Sequence, residues 1–79
     1  MRKEQKSLLY NILRIDVQMF YLACKDFWNS ADYAKNTELN QKYDSLKKEY
    51  ITEYGDLPEL QYHEDVVKLM EDLEKDLDL

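Results

Sequence analysis

Residues 8–24, LLYNILRIDVQMFYLAC, contain neither glycine nor proline and are apolar on nearly every side of the helix they would form. With each residue placed about 100° after the last, Asn11, Arg14, Gln18, Lys25 and Asn29 gather in one strip, and apolar residues fill an arc of roughly 260°. An ordinary surface helix shows a stripe only somewhat wider than about 100°. Two neighbours in a three-helix bundle would cover about 160–180°. A chain carrying this segment must place it centrally. It must also find further cover, either on a second copy of itself or on another protein.

Three apolar lines run along the segment. Leu8, Ile12, Ile15, Met19 and Leu22 form one, and Leu9, Leu13, Phe20, Phe27 and Ala31 form another. Both are aliphatic-rich and read as core. The third, Tyr10, Val17, Tyr21, Cys24 and Trp28, carries two tyrosines and the only tryptophan. Such side chains combine large rigid contact area with a polar handle and are enriched at binding hot spots. The partner-binding residues are therefore expected to be Tyr10, Val17, Tyr21 and Trp28.

One Gly and one Pro leave almost no turn chemistry for a β protein. The spacing predicts an all-α three-helix bundle forming a single helical domain over 1–79. A long central N-terminal helix is expected from about 3 to 29, or as far as 35. Asn36-Thr37 offers a cap for a second helix over about 37–54, with a seam of Leu39, Tyr43, Leu46, Tyr50 and Tyr54. Gly55 reads as a left-handed stop. Asp56, Pro58 and Glu59 resemble a capping box opening a third helix over about 58–77. Its seam is Tyr62, Val66, Leu69, Met70, Leu73 and Leu77.

Asp16 falls among Leu9, Ile12, Phe20 and Ala23 and is expected to be a buried polar group. A carboxylate there must find a partner or take up a proton. A hydrogen bond to a Tyr hydroxyl or a Lys from another helix satisfies it. So does a contact with a binding partner or second subunit that fixes register. The single Cys24 has no disulfide partner within the chain and reads as a small core residue in a reducing, cytoplasmic compartment.

The net charge of −6 is uneven: residues 56–79 hold nine acids against two lysines. Such an end repels DNA and anionic lipid, so neither direct nucleic-acid binding nor membrane binding is expected. Arg2, Lys3 and Lys6 before an apolar run ending Leu22-Ala23-Cys24 mimic a lipoprotein leader. Asn11, Arg14, Asp16 and Gln18 interrupt that run, so neither a cleaved leader nor a membrane span is expected. Glu64, Asp65, Glu71, Asp72 and Asp76 form an acidic ridge on the third helix. It reads either as a surrogate for a phosphate backbone or as a solvated face, with Lys68 and Lys75 as helix ion pairs.

No catalytic residues, cofactor or metal ligands are expected. Glu59 and His63 would supply two ligands where zinc needs three or four. One Gly precludes a phosphate cradle, and Ser7, Ser30 and Ser45 lack a nucleophile elbow. The expectation is a small acidic protein-interaction module, an inhibitor or adaptor that occludes a site on a larger protein. In size, acidity and lack of catalytic signature it is similar to anti-defence inhibitors and antitoxins carried by phages and mobile elements. The alternative is a homo-oligomeric structural or assembly factor in which the first helix pairs with its own copy.

Overall fold

A computed structural model describes all residues 1–79. The chain forms an all-α three-helix bundle of α1 (Lys3–Ala23), α2 (Ser30–Tyr54) and α3 (His63–Asp76). A turn at 24–29 joins α1 to α2, and an extended strap at 55–62 joins α2 to α3. As the apolar arc of the first helix demands, α1 is central. Both other helices pack on it, while the α2 and α3 backbones do not come within 8 Å of each other.

The first connection lies earlier than the spacing predicts. Asn29 caps α2: its side-chain oxygen accepts from the Asp32 N–H at 2.9 Å, and its own N–H donates to the Asp32 carboxylate at 3.1 Å. This reciprocal box replaces the expected cap at Asn36-Thr37. The ammonium of Lys25 at 2.8 Å, and then the Asn29 N–H, hold the Asp32 carboxyl below its ordinary range. Trp28 therefore sits in the turn and not on α1. Its indole N–H donates at 2.9 Å to the Leu22 carbonyl, which also accepts from the Lys25 N–H at 3.2 Å. Cys24 is exposed at the end of α1 and is not a core residue.

Both α2 and α3 run antiparallel to α1. On one side the Gln5 amide donates to the Tyr50 hydroxyl at 3.0 Å, and Tyr54 lies beside Arg2. On the other, the Tyr10 hydroxyl donates to Glu74 at 2.9 Å, Lys6 pairs with Asp76 at 3.2 Å, and Phe20 stacks on His63. The chain must therefore climb from the level of Arg2 to the level of Phe20 between α2 and α3. That is about 27 Å along α1, and the nine peptide steps from Tyr54 to His63 reach roughly 30 Å at full stretch. The third helix cannot begin near residue 58, because those residues are consumed in the climb. Pro58 suits this role, since it biases Leu57 toward extended backbone and has no N–H to satisfy.

The strap supplies cover that two helices lack. Leu57 and Leu60 pack against the core formed by Leu9, Ile12 and Leu13 of α1, Tyr50 of α2, and Val66 and Leu73 of α3. In place of a left-handed helix stop, Gly55 adopts φ 93° and ψ −157°, a region essentially closed to other residues. A Cβ there would meet nothing within 4 Å, so only backbone strain opposes a side chain. Gly55→Ala is expected to cost about 1–3 kcal/mol in urea unfolding, with the unfolding slope unchanged.

Candidate functional site

The four residues expected to form one docking line do not do so. Tyr10 is half-buried by α3 and bonded to Glu74, and Val17 packs against the core. Trp28 lies in the turn, its ring edge-on to Tyr33 with centroids 5.2 Å apart. Only Tyr21 of the four is openly exposed. The line fails because α3, begun late and run antiparallel, covers its first half.

Five of the eight exposed large apolar side chains lie at one end of the bundle, where α1 ends and α2 and α3 begin, and Met1, Ile51 and Leu79 are exposed toward the other. Phe27 is 89% exposed, and Tyr21, Tyr33 and Tyr62 are 61–66% exposed. Phe20, read from its spacing as core, is also exposed, and its ring is nearly parallel to the His63 imidazole at 3.8 Å and 9°. Tyr21 meets the same imidazole edge-on at 5.8 Å. His63 thus pins the start of α3 to α1. Glu59 lies on the strap, so it shares no helical face with His63, and no three His, Cys, Asp or Glu side chains converge to hold a metal. Beside this end, Tyr21, Leu22, Lys25, Lys35 and Leu39 help to line a shallow groove of about 300 Å³.

Phe27, Tyr33 and Tyr62 were not among the expected binding residues. Asn29 and Asp32, three apart before a helical run, carried the missing signal, because a helix start there puts Phe27 and Trp28 in a turn.

Asp16 is half-buried, not enclosed, and no polar or charged residue is fully buried in the fold. It faces the strap, which as a single extended chain covers α1 less completely than a helix would. None of the fold's side-chain hydrogen bonds or ion pairs engages it. Burial pushes its carboxyl above the ordinary value, and the charge of His63 on α3 opposes this in part. Burial, then Asp16 itself, raises the Tyr43 hydroxyl on α2 in turn. The folded chain holds the Asp16 proton more tightly than the unfolded chain does. Stability from this group is therefore full below the ordinary carboxylate pKa and is lost as pH rises through the raised folded value. Asp16→Asn should be more stable than the wild type near pH 7, with the gap narrowing toward about pH 3 in parallel urea titrations.

The ridge residues Glu64, Asp65, Glu71, Asp72 and Asp76 are all exposed on α3. Asp76 alone among them is ion-paired, to Lys6 of α1; Lys68 and Lys75 make none of the expected helix pairs. No helix is long and apolar enough to cross a membrane. No family model, curated protein or solved structure matches the chain.

Proposed function

We propose that the chain is a small protein-interaction module, an inhibitor or adaptor that covers a site on a larger protein through its aromatic end. The observation that carries this reading is the cluster of Phe20, Tyr21, Phe27, Tyr33 and Tyr62, all exposed at one end of the bundle. Leaving such side chains in water forgoes about 1.5–3 kcal/mol for each that a partner would bury. Glu64 and Asp65 flank the cluster at the start of α3, and Lys25 and Lys35 line the groove beside Tyr21, so an apolar patch whose rim carries both charges is the complementary surface.

Cys24, exposed beside the cluster, offers a natural handle for the test. A photo-crosslinker on Cys24 is expected to capture one discrete protein larger than this chain. The Phe27→Ser/Tyr62→Ser variant, altered only at exposed positions, should keep its stability and weaken that capture by about tenfold or more. Undiminished capture by the folded variant contradicts the reading. Capture of a second copy alone replaces it with self-association.

A further inference from the structure

We propose that the recess beneath the strap is a binding site for a primary alkylammonium group, carried by a short aliphatic amine or by the tip of a lysine side chain. The site is separate from the aromatic end and does not depend on it. Leu57, Pro58 and Leu60 of the strap roof a recess of about 110 Å³ floored by α1, with Tyr43 of α2 as one wall. By proportion with a ~150 Å³ cavity that admits benzene, it holds about four or five non-hydrogen atoms.

Its chemistry selects the ligand. The one charged residue among its walls is Asp16, whose carboxylate makes no ion pair in the fold and feels only the more distant charge of His63. A half-covered carboxylate among leucines is compensated by a cation and repels an anion. A hard metal ion needs about six oxygens, and one carboxylate with one hydroxyl falls short. A guanidinium would turn several of its five donors against apolar walls. An ammonium has three donors: Asp16 accepts one, the Tyr43 hydroxyl accepts a second, and the open side of the recess leaves the third to water. The alkyl stem then lies against Leu57 and Leu60.

The test is a titration of the full chain with n-butylammonium chloride at constant ionic strength, followed by amide NMR. Saturable shifts are expected at Leu57, Leu60, Leu13 and Asp16, with a dissociation constant on the order of millimolar. Asp16→Asn, which should fold at least as well as the wild type, is expected to bind about tenfold more weakly or worse. So is n-butanol on the wild-type chain, since it matches the length without the charge. Absence of saturable shifts overturns the proposal, as does equal binding by Asp16→Asn or by n-butanol. A second arm with N-acetyl-lysine amide separates the sources. Binding at least as tight as butylammonium assigns the recess to a lysine side chain, and binding by butylammonium alone assigns it to a small free amine.

Discussion

Leu9→Ala is expected to lower stability by about 3–5 kcal/mol, near the top of the range for buried leucines. Leu9 is 1% exposed and belongs to the cluster on which α2, α3 and the strap all pack. Its neighbours come from separate segments anchored by their own contacts, so they cannot collapse together into the space a methyl leaves. A chain of 79 residues holds a total stability of about 4–12 kcal/mol. The loss is therefore about a quarter of the total or more, and the urea midpoint at 25 °C should fall in the same proportion. A loss below about 1 kcal/mol would place Leu9 outside a shared core.

The second large effect concerns the strap. Leu57→Ser with Leu60→Ser is expected to cost about 2–4 kcal/mol, because two half-buried leucines lose their apolar cover and two hydroxyls face the core instead. The strap also holds α3 in place. With only 14 residues, α3 has little helicity of its own once it is detached. Circular dichroism should record lost helix well beyond the two substituted positions. Glu59→Ser and Gln61→Ser, exposed residues of the same strap, serve as controls and should change stability by no more than about 0.5 kcal/mol. Equal effects from both pairs would mean that the strap acts through backbone stiffness and not through its leucines.

The sequence made some of this legible and hid the rest for identifiable reasons. The centrality of α1 followed from its apolar arc, and the seams of Leu39 and Tyr50 and of Val66 and Leu73 lie buried where helical spacing puts them. The strap was not legible, because Asp56, Pro58 and Glu59 spell a helix start when read locally. The stretch is held extended by a distance that exists only once both later helices run antiparallel to α1. Trp28 and Phe27 were misplaced because residues 24–28 contain no glycine or proline to mark a break, and the Asn29–Asp32 box alone ends the run. The surplus on α1 was real, but a strap covers part of it. What remains is an aromatic end, not a line along the helix. Asp16 was flagged by spacing alone. Its environment was not legible, since a half-closed recess depends on which segment lies above it.

Nuclear Overhauser contacts from the Leu57 and Leu60 methyls, recorded on a sample shown to be monomeric, test most directly whether the chain shelters its own central helix. Cross-peaks from both leucines to methyls of Leu9, Ile12 or Leu13 are the predicted result. A strap whose methyls reach no α1 residue would contradict it, since the central helix would then need a second molecule for its cover.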